Sequence, residues 1–238
     1  MIYLIGLGLN YDGISKQGLV AAKKCKKVYL ENYTIDFPYP IEQLKEVIGK
    51  KIVVVNREFV ESLEIVDEAK KKDVALLVYG SPLTATTHIS LIEEAKNCRI
   101  KYKIIYNASV LDAVAETGLQ LYKFGKISSM PKWDKEKKFT PESFMEIVKE
   151  NNSIKAHSLI LVDIGLNFHE AVKQLINASK NKIKLNEVIV CSRLGARNRR
   201  IFYDYIENLK NKKIEAPYCF IIPSKLHFVE KEFLESFK

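Results

Sequence analysis

The chain has 238 residues, 47% of them hydrophobic and 28% charged, a balance that supports a packed core and excludes a disordered, collagenous or coiled-coil protein. Lys and Arg exceed Asp and Glu by 38 to 29, a net charge of +9, but most of the excess is scattered lysine of the kind that coats helix ends. Apolar runs such as 74–78 and 159–162 are strand-sized, far short of the roughly 20 residues of a membrane span, and Met1 leads straight into Ile2 to Gly6 with no basic leader, so a cytoplasmic protein without a membrane segment is expected.

In chain order, apolar runs predict strands at 3–8, 28–31, 52–56, 74–80 and 103–106, with helical patterns at 15–24, 41–48, 58–71, 86–98 and 110–117, the last stopped by Gly118. After Gly125 come a strand-like 126–130, a charged stretch 132–138 holding the only tryptophan, and a helix beyond Pro141. Strands at 158–164, 187–192 and 218–222 then alternate with helices at 169–179 and 198–209, and a helix at 228–237 closes the chain. Alternation of this kind predicts two α/β lobes with mostly parallel sheets. The expected domains are 1–108 and 109–238, with a ligand held at the carboxyl ends of strands in the cleft between them.

The strand ends carry the chemistry. The first ends in Gly6-Leu7-Gly8-Leu9, and Glu31 ends the second at the distance of a dinucleotide fingerprint, but Tyr11 stands where that motif needs a third glycine. A nicotinamide site is therefore disfavoured, while two glycines still let a backbone pass close to some ligand. The fourth ends in Gly80-Ser81-Pro82-Leu83-Thr84-Ala85-Thr86-Thr87-His88, where helix capping by Thr86 or Thr87 accounts for part of the hydroxyl content and a polar pocket for the rest. The fifth ends in Asn107-Ala108-Ser109, and the second half offers Asp163 and Gly165, then Arg193-Leu194-Gly195.

Four of the six arginines (Arg193, Arg197, Arg199, Arg200) fall within eight residues. Planar guanidinium groups suit carboxylates and phosphates, and cations opening a helix would oppose its dipole, so partner binding weighs evenly against solvated surface here. The four histidines are isolated, which predicts structural roles and no metal site. Cys25, Cys98, Cys191 and Cys219 lie far apart with no C-x-x-C pair, which predicts buried free thiols and leaves an intracellular disulfide open. No G-x-S-x-G elbow occurs and no cysteine sits in a nucleophile setting. Such a chain favours a reaction whose substrates bring their own nucleophile and electrophile, the protein supplying alignment and exclusion of water.

One run fits neither a strand nor a helix pattern: Thr117-Gly118-Leu119-Gln120-Leu121-Tyr122-Lys123-Phe124-Gly125. Together with Gly6 to Leu9, Leu30-Glu31-Asn32-Tyr33-Thr34, Gly80 to His88 and Arg193-x-Gly195, it resembles the diphthine synthase family, from the first strand to the last. The resemblance implies the tetrapyrrole methylase-like fold, S-adenosylmethionine as cofactor with S-adenosylhomocysteine as product, and a homodimer in the cytoplasm. It also implies methyl transfer to the amino group of 3-amino-3-carboxypropyl-histidine on translation elongation factor 2, on the route to diphthamide.

By motif position the resemblance places cofactor contacts at Leu9, Ser81, Thr84, Ser109, Val110, Val162, Leu194 and Cys219. Two of these depart from the family pattern, which usually has Asp at the position of Ser81 and His near Tyr218 or Cys219. No residue is identified as a base. The arginine cluster would then serve docking of the protein substrate, with no nucleic acid required. The alternatives are a methylase of the same fold acting on a corrin precursor or ribosomal RNA, and a noncatalytic nucleotide- or RNA-binding module.

Overall fold

Five short apolar runs in the first half of the chain become one fully parallel sheet: β1 (Ile2–Gly6), β2 (Lys27–Glu31), β3 (Val53–Val55), β4 (Val74–Val78) and β5 (Tyr102–Ile105), in the order β3-β2-β4-β1-β5. The structure is a computed structural model describing Met1 to Lys238. It divides into two units, Met1–Leu111 and Asp112–Lys238.

In the first unit, successive residues of each strand face opposite sides of the sheet. Tyr3, Ile5, Val28, Leu30, Ala75 and Leu77 pack on one face with α1 (Lys16–Lys24) and α2 (Ile41–Ile48). Ile2, Leu4, Tyr29, Val74, Leu76 and Val78 pack on the other against α3 (Arg57–Glu61), α4 (Glu64–Ala69) and α5 (Ile89–Asn97). Both faces being covered, the central strand β4 is apolar at every position, and each large aliphatic side chain buried there contributes about 1.5–3 kcal/mol. Ser15 caps α1 by accepting from the Gly18 amide at 3.0 Å, and α2 runs from the residue after Pro40 to a left-handed Gly49.

The single helix expected at 58–71 is two, because Leu63 adopts φ 65° between them while the Ser62 hydroxyl bonds back to the Phe59 carbonyl at 2.8 Å. A hydroxyl bonded to its own preceding turn competes with helix continuation. No helix is long and apolar enough to cross a membrane.

The second unit holds β6 (Ser128–Met130), β7 (Ser158–Val162), β8 (Glu187–Ser192), β9 (Arg200–Tyr205) and β10 (Tyr218–Ile222), in the order β6-β7-β10-β8-β9. Only β6 and β7 pair in parallel; β7 with β10, β10 with β8 and β8 with β9 are antiparallel. This sheet is thus mixed where the first is parallel throughout. Its core joins Ile160, Val188, Val190 and Phe220 to Phe144, Met145 and Val148 of α7 (Ser143–Ser153), and to Ala171, Val172 and Leu175 of α8 (Phe168–Ser179).

The helix expected at 198–209 is not formed: Arg200–Tyr205 is β9, paired along its length with β8, and only α9 (Ile206–Leu209) is helical. Ile201, Phe202, Tyr203 and Tyr205 are side chains that suit a pleated surface, and positive φ at Arg193 and Gly195 turns the chain back onto β8. The arginine cluster therefore occupies a hairpin connection and the first residue of a strand, and no helix dipole acts on it.

Candidate functional site

In the first unit, the loops leaving β1, β4 and β5 are bound to one another. Gly8 and Gly80 exchange backbone hydrogen bonds at 3.0 and 2.9 Å, and the Asn107 amide donates to the carbonyls of Gly6 and Gly13 at 3.1 and 2.9 Å. A Cβ at Gly6 would lie 2.7 Å from the Gly80 oxygen and 2.8 Å from Pro82 Cδ, so this approach is possible only for glycine. The Tyr79 hydroxyl donates to the Leu9 carbonyl at 3.1 Å and holds the first loop over the end of β4.

Five of the expected contact residues sit on this edge. Leu9 follows the Gly8 bridge, Ser81 is buried beside Gly80, and the Thr84 amide donates to the Ser81 carbonyl at 3.3 Å. Ser109 is buried and its hydroxyl accepts from the Leu111 amide at 3.2 Å, while Val110 opens α6 (Val110–Ala113). The other three belong to the second unit: Val162 ends β7, Leu194 follows β8, and Cys219 lies in β10.

Several side chains have other roles than the sequence suggests. Glu31 does not face a ribose site: its carboxylate is buried and accepts from the Thr34 hydroxyl at 2.5 Å and from the amides of Tyr33 and Thr34 at 3.3 and 3.2 Å. Burial raises its pKa against the lowering effect of those bonds. Neither Thr86 nor Thr87 caps α5, which begins later than expected, directly after His88. Asp163 is an exposed turn residue accepting from the amides of Lys132 and Ile164, both at 3.1 Å.

His88, one of the four isolated histidines expected to be structural, has such a role. It is buried, and its Nε2 lies 3.1 Å from the Tyr33 hydroxyl, tying the loop after β2 to the start of α5. Burial lowers its pKa to about 4, so the ring is neutral at physiological pH.

The polar run acquires its explanation in the second unit, from α10 (Phe228–Glu235). Glu230 is fully buried and accepts from the Gln120 amide at 3.0 Å, from the His227 amide at 2.7 Å, from Lys123 Nζ and from His157. His157 Nδ1 accepts from the Ser224 amide at 3.0 Å, which leaves its proton on Nε2, facing Glu230 at 3.3 Å. Burial alone would raise the Glu230 pKa, but the bonds from Gln120, Lys123, His227 and His157 bring it down to about 2. Gly118 is left-handed, with φ 79°, and a Cβ there would stand 2.4 Å from the Phe233 ring. The run is thus a brace locked onto α10, with Leu121 and Tyr122 turned to solvent.

The sequence signal for this brace was His227-x-x-Glu230, a capping box closed reciprocally in the structure. The arginines divide. Arg193 bonds the Ala216 carbonyl at 2.8 Å and Glu215 at 3.0 Å, and Arg199 pairs with Glu116 at 2.6 Å. Arg197 and Arg200 are exposed. All four cysteines are free, and Cys98 is only partly buried.

Against known proteins, the profile of the family described as Tetrapyrrole (Corrin/Porphyrin) Methylases matches residues 1–210. The diphthine synthase of Methanocaldococcus jannaschii is 38% identical over 99% of this chain and 98% of its own length. The diphthine methyl ester synthase of Schizosaccharomyces pombe is 33% identical over 100% of this chain and 94% of its own. Among solved structures, a putative diphthine synthase from Entamoeba histolytica superposes with a TM-score of 0.90 at 32% identity, covering 100% of this chain and 98% of that one.

Proposed function

Because the chain belongs to the tetrapyrrole methylases, and within them to the diphthine synthases, we propose that it transfers methyl from S-adenosylmethionine to the amino group of 3-amino-3-carboxypropyl-histidine on elongation factor 2. The protein is a methyltransferase of diphthamide biosynthesis. The observation that carries the substrate reading is similarity to enzymes of that name over nearly the whole of both chains.

The first unit's strand edge fits the cofactor. Gly6 and Gly8 let the loops after β1, β4 and β5 close on one another, a Cβ at Gly8 crowding Asn107 Oδ1 at 3.1 Å, and Ser81 and Ser109 are buried on that edge. By the resemblance of their motifs, Leu9, Ser81, Thr84, Ser109, Val110, Val162, Leu194 and Cys219 would contact the cofactor. The bound cofactor supplies an already activated sulfonium methyl, so the chain's task is alignment of an attacking amine and exclusion of water. Ser81 gives one hydrogen bond and no negative charge, where the family pattern has a carboxylate. A cytoplasmic homodimer acting on a protein, with no nucleic acid required, completes the proposal.

The test uses S-adenosylmethionine labelled in its methyl group, offered in parallel with elongation factor 2 carrying the 3-amino-3-carboxypropyl group, with ribosomal RNA and with a corrin precursor. Label is expected in the factor alone and stable to mild base. Base-labile label in the factor would show carboxyl esterification, the product named for the Schizosaccharomyces relative. Label in RNA or the corrin would overturn the substrate assignment. Absence of cofactor binding by calorimetry would overturn the cofactor assignment.

A further inference from the structure

Strands β8 and β10 run antiparallel in a register that sets Cys219 directly opposite Cys191. Opposed residues of such a pair share one face of the sheet with Cα atoms about 4.5 or 5.5 Å apart, within the roughly 4.4–6.8 Å that a disulfide spans. The pairing therefore sets the two side chains beside each other on that face. Both are free thiols, 1% and 4% exposed.

What lies just beyond them matters. The Arg193 amide donates to the Pro217 carbonyl at 2.8 Å, and the Ser192 hydroxyl to the Glu215 carbonyl at 2.6 Å. The segment leading to Leu194 is therefore stitched to the segment leading into β10 immediately beyond the cysteine pair, on the side nearer Leu194. An S–S bond at the pair fixes the spacing of both strands next to these stitches.

We propose that Cys191 and Cys219 are a redox-closable dithiol whose cross-strand disulfide displaces Leu194 and Cys219 and lowers affinity for the methyl donor. The affinity half rests on the proposed function, which places those two residues at the cofactor. The oxidant is a small peroxide. One sulfur attacks it to give a sulfenic acid and water, and the other attacks that sulfur, forming the S–S bond and releasing a second water, so the pair's two electrons reduce one peroxide. A dithiol reductant reverses the bond by exchange. The neighbouring Cys219 thiol and burial push the Cys191 thiol well above the usual range, so closure is slow and needs added oxidant.

The full-length protein is treated natively with hydrogen peroxide, denatured, alkylated with iodoacetamide and mapped by mass spectrometry. The expected result is a disulfide linking the peptides of Cys191 and Cys219, with Cys25 and Cys98 alkylated and dithiothreitol restoring all four thiols. S-adenosylhomocysteine binding by calorimetry is expected to fall at least tenfold on closure. Cys191→Ala and Cys191→Val should bind like the reduced protein and lose nothing on oxidation. Four alkylatable thiols after peroxide would overturn the dithiol, and a closed bond with unchanged binding would overturn its control of affinity. A reduced protein that does not bind S-adenosylhomocysteine would remove the affinity half together with the cofactor reading, while the peptide map still decides the dithiol.

Discussion

His157 Nε2 and Glu230 Oε1 lie 3.3 Å apart with both side chains fully buried. Glu230 there accepts four donors, from Gln120, Lys123, His157 and His227. A carboxylate so placed is costly to remove, because each donor is left without an acceptor out of water. Glu230→Gln, which turns an amide NH2 toward Lys123 and His157, should destabilise the second unit by about 3–5 kcal/mol. Urea unfolding followed by fluorescence of Trp133, the only tryptophan, reads this directly. A loss under 1 kcal/mol would show that the network contributes little.

The first unit should weaken in mild acid through His88. Burial lowers its pKa from 6.5 to about 4, so between those values the unfolded chain binds more protons than the folded one, and stability falls as pH falls. The contribution is intact above pH 6.5 and drops by roughly 2 kcal/mol by pH 5. Hydrogen exchange of β4 peptides at pH 7 and pH 5, corrected for intrinsic rates, should show this loss in the parent and a smaller one in His88→Gln.

Much of the first unit could be read from the chain, and the reason is local. The run at 74–78 is apolar throughout because both faces of the sheet are covered, and the helix at 41–48 lies between a proline and a left-handed glycine. Gly118 announced a helix end and provides one. By contrast the pattern around Gln120 and Lys123 fitted no element, because their partner Glu230 is 110 and 107 residues away. β9 was read as helix for a similar reason: its strand character depends on pairing with β8, which no window around Arg200 contains. The closure of the strand-edge loops was legible where glycines follow apolar runs, whereas the contact of His88 with Tyr33, across 55 residues, was not.

Gly6 offers a direct test of the strand-edge site. A methyl added there would overlap the Gly80 carbonyl, Pro82 and Asn107, all at 2.9 Å or less. Gly6→Ala should therefore push apart the loops that carry Leu9 and Ser81 and lower S-adenosylhomocysteine affinity at least tenfold, with the second unit's Trp133 emission unchanged. Ser81→Ala, which removes one hydroxyl without moving backbone, should cost only about 3- to 10-fold, the worth of about 0.5–1.5 kcal/mol for one hydrogen bond. Equal losses in the two variants would mean that the glycine acts through the serine alone.

The arginine hairpin is the remaining feature whose chemistry points outward. Arg193 is held by Ala216 and Glu215 and Arg199 by Glu116, leaving Arg197 and Arg200 exposed at the turn and at the start of β9. Exposed charges of one sign act mainly on the encounter with a partner, and ionic strength screens them over about 10 Å at 0.1 M salt. Replacing Arg197 and Arg200 by Ala should raise KM for the elongation factor about 3- to 10-fold at 50 mM salt, and by much less at 300 mM. S-adenosylhomocysteine affinity and kcat should stay within about twofold, since removing uniform binding raises KM alone. A salt-independent loss would point to a packing role for the hairpin, and an unchanged KM at low salt would place docking on another surface.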